Sequence, residues 1–211
     1  MIKKGIIFDL DGTLWDSIDS VINSWNSVLI NEGYGEFLIT RETLTPHIGK
    51  PIDQIVAALM PGLSAEENER LRLTCSAHEN KYISVHGGKL YPGLISTLKK
   101  LSKKYPLYIV SNCQSGYIEA FFAAHQTKEY FQDIECWGNT NLPKSENIKI
   151  IVKRNNLAKA VYVGDTLSDM YAAQSAGLPF VWAAYGFGIE AGCGHKIENI
   201  GELPKLIGKI L

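Results

Sequence analysis

The sequence lacks several features that would place it in a functional class at once. Its 211 residues contain no apolar run near the roughly 20 residues that a membrane span needs. The formal net charge is −1, so a broad basic surface for nucleic acid or anionic lipid is not expected. The four cysteines lie far apart without a C-x-x-C pair, which excludes the usual zinc spacing. Internal repeats and low-complexity tracts are also missing.

The start of the chain shows no leader pattern. Residues 1–4 pass directly into an apolar strand, without the apolar core and cleavage site of a signal peptide. With the dispersed cysteines, this pattern predicts a reduced, cytoplasmic protein. We expect neither nucleic-acid nor membrane partners, and a monomer or a small homo-oligomer. Apolar residues make up 45% of the chain, which is enough for a substantial core.

The segment from residue 5 to residue 13 is the most informative stretch. An apolar run ends in Asp9 and Asp11, and a Gly-Thr turn follows. In parallel α/β sheets, ligands bind beyond the carboxyl ends of the strands. The i, i+2 spacing directs both carboxylates to the same side if the backbone stays extended. Two like charges in one pocket require a bound cation or a proton.

The rest of the sequence divides into two patterns. From residue 16 to about residue 85, apolar residues recur at helical spacing, and Ser64 with Glu67 forms a capping box for the last helix of this part. From residue 86 onward, strands and helices alternate, with strands expected at 107–110, 134–137, 160–163 and 180–183. Such alternation predicts a doubly wound parallel sheet with helices on both faces.

Polar side chains follow the other apolar strands as well. Ser111 and Asn112 precede a helix, where a hydroxyl beside free N–H groups suits an anion, although a helix cap explains the pair equally well. Lys144 lies just before the helix predicted for residues 146–156, where the dipole disfavours a cation unless a phosphate is bound; a solvated surface lysine is the alternative. Asp165 and Asp169 follow another apolar strand, and Asp169 also fits the role of a helix-start carboxylate.

Taken together, these side chains predict a phosphoryl-transfer site. The set comprises four acids, one lysine and one hydroxyl beside helix N-termini. Hard oxygen ligands select Mg²⁺ over zinc. The metal would screen a phosphate from the carboxylates, while Lys144 and backbone N–H groups hold its other oxygens.

With these motifs in this order, the sequence resembles the haloacid dehalogenase-like hydrolase superfamily. Residues 9–13 are similar to its motif I, Ser111-Asn112 to motif II, Lys144 to motif III, and residues 164–169 to motif IV. Residues 16–85 resemble its helical C1 cap, as in phosphoglycolate phosphatases and β-phosphoglucomutases. The resemblance implies a Rossmann-like core formed by residues 1–15 and 86–211, with the cap inserted between them.

The resemblance also implies a role for each motif residue. Asp9 would attack phosphorus and form an aspartyl-phosphate, and Asp11 would act as general acid and then as general base. Ser111, Asn112 and Lys144 would bind the phosphoryl group. Mg²⁺ would be held by Asp9, the backbone carbonyl of Asp11, Asp165 and, through its water shell, Asp169.

The cap contributes a candidate substrate contact. His47 and Lys50 lie where related enzymes place a specificity loop, and a cation there would meet a carboxylate or a second phosphate. A polar turn between helices is the alternative. The expected function is a Mg²⁺-dependent phosphatase of small phosphorylated metabolites. A phosphomutase of the β-phosphoglucomutase type uses the same motifs and stays open, as does a binding module without activity.

Overall fold

A parallel sheet forms the centre of the molecule. The computed structural model of the chain describes residues 3–188 and 194–211. The strands within those ranges are β1 Lys4–Phe8, β2 Trp15–Asp16, β3 Lys89–Leu90, β4 Leu107–Ser111, β5 Phe131–Cys136, β6 Lys159–Gly164, β7 Phe180–Ala183 and β8 Lys196–Ile197. Six of them form a sheet in the order β5-β4-β1-β6-β7-β8, with all neighbours parallel, while β2 and β3 form a separate antiparallel ribbon.

Helices cover both faces of this sheet. The α-helices are α1 Ile18–Asn31, α2 Arg41–Leu44, α3 Ile52–Leu59, α4 Ala65–His86, α5 Leu94–Leu101, α6 Tyr117–His125, α7 Trp137–Thr140, α8 Lys144–Arg154, α9 Leu167–Ser175 and α10 Leu203–Ile210. Within 3–188 and 194–211, no helix has the length and apolarity to cross a membrane.

The alternation of side chains along β1 divides the core into two layers. Ile6 and Phe8 pack with the buried residues of α5, α6 and α10, whereas Ile7 packs with those of α8 and α9 on the opposite face. Successive side chains of a strand point to opposite faces, so a central strand covered on both sides must be apolar throughout. The predicted doubly wound α/β fold is therefore confirmed.

Helices α1 to α4 form a compact group, here called the helical segment (residues 18–86). Trp25 and Leu29 of α1 and Leu71 and Ile83 of α4 are buried in one continuous apolar cluster with the core. The predicted capping box at the start of α4 is present, because Ser64 Oγ accepts from the backbone of Glu67 and the Glu67 carboxylate accepts from the backbone of Ser64. The expected division into two domains at residues 15/16 and 85/86 stays a prediction.

Several predicted boundaries are wrong in detail. Asp16 belongs to the β2–β3 ribbon, so the chain after residue 15 is not entirely helical. Trp137, expected at the end of a strand, begins α7 instead. Helix α8 begins at Lys144, two residues before the predicted start at residue 146. The two-residue strands are too short to show any periodicity, and this is why the sequence does not reveal them.

Candidate active site

The carboxyl ends of the central strands bring the predicted site residues together. Asp9 directly follows β1, Ser111 ends β4, and Asp165 directly follows β6. Strands β4 and β6 are the two neighbours of β1, so these three residues meet at one edge of the sheet. This is the edge at which open α/β sheets bind their ligands.

Lys144 joins this group as the central cation. Its Nζ lies 2.9 Å from Asp9 Oδ1 and 2.6 Å from Asp169 Oδ1. The lysine side chain is only 4% exposed, so the alternative of a solvated surface lysine is excluded. Burial disfavours the ammonium form of Lys144, but the negative charges of Asp169 and Asp9 outweigh it and raise the pKa above its ordinary value.

Three buried carboxylates form an acidic cluster around this lysine. One oxygen each from Asp9, Asp165 and Asp169 lies within 4.8 Å of the other two. Burial, and then repulsion by Asp169, raises the pKa of Asp9 to about 7 despite the attraction of Lys144. Burial and repulsion by Asp169 and Asp9 likewise raise the pKa of Asp165 well above its ordinary range. One ammonium does not balance three carboxylates, so the cluster fits a metal cation.

The local backbone holds Asp165 close to the turn after β1. Its Oδ2 accepts a hydrogen bond from the Phe187 N–H at 2.8 Å, and its Oδ1 accepts one from the Thr13 hydroxyl at 3.3 Å. Gly12 has a φ of 80°, and a Cβ at this position would lie 2.1 Å from Asp165 Oδ2. The glycine of the turn is thus required both by its conformation and by the close approach of this carboxylate.

Asp169 takes part both in the capping of α9 and in the contact with Lys144. Its Oδ2 accepts hydrogen bonds from the backbone and the hydroxyl of Thr166, which caps α9 through a reciprocal bond to the Asp169 N–H. Its Oδ1 binds Lys144. The helix-start alternative for Asp169 is therefore correct, and it does not exclude the contact with Lys144.

Asp11 is held by three donors on one oxygen. Its Oδ1 accepts from Trp15 Nε1 at 2.9 Å, from the Tyr117 hydroxyl at 2.9 Å and from the Ser17 hydroxyl. Burial raises the pKa of Asp11, while these three hydrogen bonds act in the opposite direction. Asp11 lies outside the three-carboxylate cluster and lines the adjoining cavity.

The motif II residues differ in what they contact. Ser111 is 4% exposed and lines the cavity beside Asp11. The Asn112 side-chain amide donates to the backbone carbonyl of Gly49 in the helical segment at 2.8 Å. In this structure Asn112 therefore ties the helical segment to the core. Its predicted phosphate contact, like that of Ser111, stays a prediction.

The two candidate substrate contacts of the helical segment, His47 and Lys50, differ in the cavities that they line. Lys50 lines a small cavity of about 40 Å³ and also a cleft of about 720 Å³ that contains Lys144. His47 lines neither space, and its Nδ1 lies 3.1 Å from Lys50 Nζ. Burial and the charge of Lys50 lower the pKa of His47. Lys50 thus borders both spaces, whereas the side-chain hydrogen bond of His47 is made with Lys50. A substrate contact of either residue stays a prediction.

Two further residues of the site were not predicted from the sequence. Tyr117 donates a hydrogen bond to Asp11 from 106 positions away in the sequence, so no local sequence pattern predicts this contact. Glu79 lines the small cavity and is 4% exposed. A signal for Glu79 does exist in the sequence, because it interrupts a stripe of buried positions spaced by four in α4. The members of that stripe are Leu71, Cys75, Glu79 and Ile83.

Comparison with known proteins identifies a family and related sequences. The family model of haloacid dehalogenase-like hydrolases matches residues 6–183. The chain is 29% identical over 199 residues to a phosphoglycolate phosphatase of Aliivibrio fischeri, an alignment that covers 87% of this chain and 85% of the relative.

Two solved structures share the fold. A predicted phosphoglycolate phosphatase from Haemophilus somnus has a TM-score of 0.84 at 21% identity, covering 97% of this chain and 98% of that one. A haloacid dehalogenase-like family hydrolase from Streptococcus pneumoniae has a TM-score of 0.81 at 24% identity, covering 98% of both chains. The family match includes all the motif residues and strands β2 to β7, and the predicted family and hydrolase class are confirmed. The chain therefore belongs to the haloacid dehalogenase-like hydrolase family.

Proposed function

We propose that this hydrolase is a Mg²⁺-dependent phosphatase of small phosphorylated metabolites. The observation that carries the proposal is the buried contact of Lys144 with Asp9 and Asp169, beside Asp165, at the carboxyl edge of the sheet. A nucleophilic carboxylate, a fixed cation and a candidate metal site are the parts that phosphoryl transfer needs. Its relatives are named phosphoglycolate phosphatases, which supports the same reaction class.

The acidic cluster supports Mg²⁺ as the cofactor. Asp9 and Asp165, with the backbone carbonyl of Asp11, would hold the ion, and Asp169 would orient its water shell. All of these donors are oxygen atoms, which Mg²⁺ prefers over nitrogen and sulfur. When bound, Mg²⁺ would neutralise carboxylates and attract the negative phosphoryl oxygens.

Asp9 is the proposed nucleophile. The charge of Lys144 lowers the pKa of Asp9 against burial and so favours the reactive carboxylate. A bond from an Asp9 oxygen to phosphorus forms as the bond from phosphorus to the leaving oxygen breaks. Ser111 and Lys144 would bind phosphoryl oxygens, and the helix dipole of α6 beyond Ser111 favours the same charge.

Asp11 is the proposed general acid and base. The three donors that meet at its Oδ1 leave Oδ2 as the oxygen that carries the mobile proton. Asp11 would protonate the leaving oxygen, and would then accept a proton from the water that attacks the phosphorylated Asp9. That second step releases inorganic phosphate and restores both aspartates.

We place the reaction in the cytoplasm, where the free thiols of Cys75, Cys113 and Cys136 stay reduced.

Phosphate release from a panel of small phosphate esters tests the proposal. We expect release with Mg²⁺ and none with excess chelator. Asp9→Asn should reduce turnover at least 10³-fold because the nucleophile is lost while the volume stays. Asp53→Asn, on the exposed face of α3, is the matched control and should behave as the parent.

The same assay separates the alternatives. An isomeric phosphate ester in place of inorganic phosphate would identify a mutase. Near-parental turnover by Asp9→Asn would contradict the assignment of the nucleophile. A folded parent protein that releases no phosphate from any ester would contradict the proposed phosphatase.

A further inference from the structure

The helical segment places one carboxyl group inside an otherwise apolar wall. In helix α4, the buried residues at four-residue spacing are three apolar side chains and Glu79. A carboxyl group at such a position costs stability unless its polar atoms find partners. A residue that is kept there without a metal or an ion pair is a candidate for recognition of a ligand.

The contacts of Glu79 leave one of its oxygens available. Oε2 accepts from Trp25 Nε1 at 2.9 Å and from Gln114 Nε2 at 3.0 Å. No hydrogen bond from any residue within 3–188 and 194–211 reaches Oε1. The side chain borders the small cavity that Asp11 and Ser111 also line. The free oxygen therefore belongs to a group that lies on the wall of the proposed active site.

The electrostatic state of Glu79 suits a hydrogen-bond donor. Burial raises the pKa of Glu79 to about 8, and the charge of Asp11 acts in the same direction against the bonds from Trp25 and Gln114. The neutral carboxyl group then predominates near pH 7. Since two N–H groups already occupy Oε2, the proton belongs on Oε1. A neutral buried carboxylic acid donates a hydrogen bond to a ligand in the same way as the neutral aspartic acid of ketosteroid isomerase.

The cavity limits the size of what Glu79 can meet. Its volume of about 40 Å³ accommodates about three water-sized groups, at roughly 10–15 Å³ each. Val21, Trp25 and Ile52 supply apolar walls, and Lys50 supplies a positive charge. A leaving group of two carbon atoms with an oxygen at its far end matches this size.

We propose that Glu79 determines substrate specificity by hydrogen-bonding a terminal oxygen of the leaving group, at the end remote from phosphorus. The proposal rests on the proposed phosphatase function and names the chemistry of its substrates. A carboxylate and a hydroxyl group share the required acceptor oxygen, and Lys50 adds attraction for a carboxylate. The residue acts on recognition, and the phosphoryl transfer itself belongs to Asp9 and Asp11.

Three esters that differ only at the far carbon provide the test. They are ethyl phosphate, 2-hydroxyethyl phosphate and 2-phosphoglycolate, which end in a methyl, a hydroxyl and a carboxylate. Each is assayed for kcat/KM, and for Kd in the Asp9→Asn background, with Mg²⁺ present. We expect the parent to favour at least one of the oxygen-bearing esters over ethyl phosphate by tenfold or more, as one hydrogen bond in a dry pocket allows. The preferred ester identifies the terminal group.

Three variants separate recognition from structure. Glu79→Met fills a similar volume without polar atoms and should lose this preference, measured as the ratio of kcat/KM between an oxygen-bearing ester and ethyl phosphate. Glu79→Gln keeps a donor and an acceptor and should retain most of the preference. Asn80→Ala is the matched control, because Asn80 bonds Gln114 and the Ser115 carbonyl across the same interface but does not line the cavity. Asn80→Ala should leave the preference unchanged.

Three results would overturn the proposal. They are a parent without preference, a Glu79→Met protein that keeps the parental preference, and an Asn80→Ala protein that loses it equally. If Glu79→Met melts below the assay temperature, Glu79→Ala is compared in its place. If none of the esters is turned over, only the proposed phosphatase function is rejected. The Kd values measured in the Asp9→Asn background still test the role of Glu79.

Discussion

At the scale of single residues, the site is distinguished by a cluster of buried charged side chains. The side chains of Asp9, Lys144 and Asp169 are at most 4% exposed. Withdrawing ionised groups from water costs several kcal/mol each unless they are paired, and removing one partner of a buried pair is strongly destabilising. The chain holds these groups together at the expense of stability, which is typical of active sites.

Glu79 gives a pH-dependent stability that one substitution should remove. Its pKa is raised from 4.5 to about 8 by burial, so between these values the folded state binds a proton that the unfolded chain releases. The free energy of unfolding therefore falls as pH rises through this window, by up to about 1.4 kcal/mol per pH unit. We expect the stability of Glu79→Gln, relative to the parent, to increase from pH 5 to pH 8 in urea denaturation.

The groups around Glu79 set the conditions for this measurement. Asp11, Tyr117 and Cys75 interact electrostatically with it, and Lys50 borders the same cavity. Glu36→Gln, in an exposed position of the helical segment, provides the matched control and should follow the parent at each pH. A constant difference between Glu79→Gln and the parent across the window would show that Glu79 does not take up a proton on folding.

Residues differ in how far the sequence alone could place them. Asp9 and Asp165 follow apolar strands directly, and parallel topology then dictates that they meet. Lys144 has no such constraint from its neighbours in sequence, because its burial depends on the packing of α8 against β4 and β5. The hydrogen bond between Tyr117 and Asp11 depends on the packing of α6. The local spacing of apolar residues does not predict which distant segments pack together.

At the scale of elements, the start of α4 matters because this helix carries Glu79. Ser64 caps the helix through its hydroxyl, and Glu67 returns the bond. We expect Ser64→Ala to cost about 1 kcal/mol of unfolding free energy, as is usual for loss of an N-cap. In a molecule of this size that corresponds to a fall in Tm of about 2–4 °C, which a thermal melt followed by circular dichroism can measure.

The control for this change lies in the same helix. Ser84 is half-buried near the end of α4, and its hydroxyl makes a solvent-exposed hydrogen bond to the carbonyl of Lys81 three residues earlier. Ser84→Ala should therefore leave Tm within about 1 °C of the parent, since loss of an exposed hydrogen bond away from a helix cap costs at most about 0.5 kcal/mol. Equal melting temperatures for Ser64→Ala and the parent would mean that the capping box does not limit the stability of α4.

Longer elements follow from the sequence more directly than short ones. Helix α1 shows the expected buried face at Ile18, Val21, Trp25 and Leu29, because a 3.6-residue period needs several turns to become visible. Strands β2 and β8 contain two residues each and depend on partners distant in the chain. The start of α8 at Lys144 is also set by tertiary contacts, since the lysine is fixed by Asp9 and Asp169.

At the scale of the whole molecule, the acidic cluster links metal binding to global stability. Burial and repulsion by Asp169 and Asp9 raise the pKa of Asp165. We expect Asp165→Asn to raise Tm by about 2–4 °C in chelator, because about 1 kcal/mol of repulsion is removed. Excess Mg²⁺ should raise the Tm of the parent and leave that of Asp165→Asn unchanged, because binding to the folded state is stabilising.

Differential scanning calorimetry with Mg²⁺ and with chelator measures both effects. Asp53→Asn should show the parental response to Mg²⁺, since this residue lies on the exposed side of α3. An equal Mg²⁺-induced increase in parent and Asp165→Asn would place the ion elsewhere. A lower Tm for Asp165→Asn in chelator would mean that the bonds from Thr13 and Phe187 outweigh the repulsion.

The small ribbon formed by β2 and β3 has a consequence for how such a molecule can change over evolution. Trp15 pairs with Leu90 and Asp16 with Lys89, so the chain leaves the core and returns to it at adjacent points. The entropy of closing a loop between fixed ends grows only slowly with its length. Insertions, deletions or a wholesale exchange of the intervening helices would therefore leave the strand ends and their aspartates undisturbed. A lineage built on this junction can acquire new substrates while inheriting its chemistry intact.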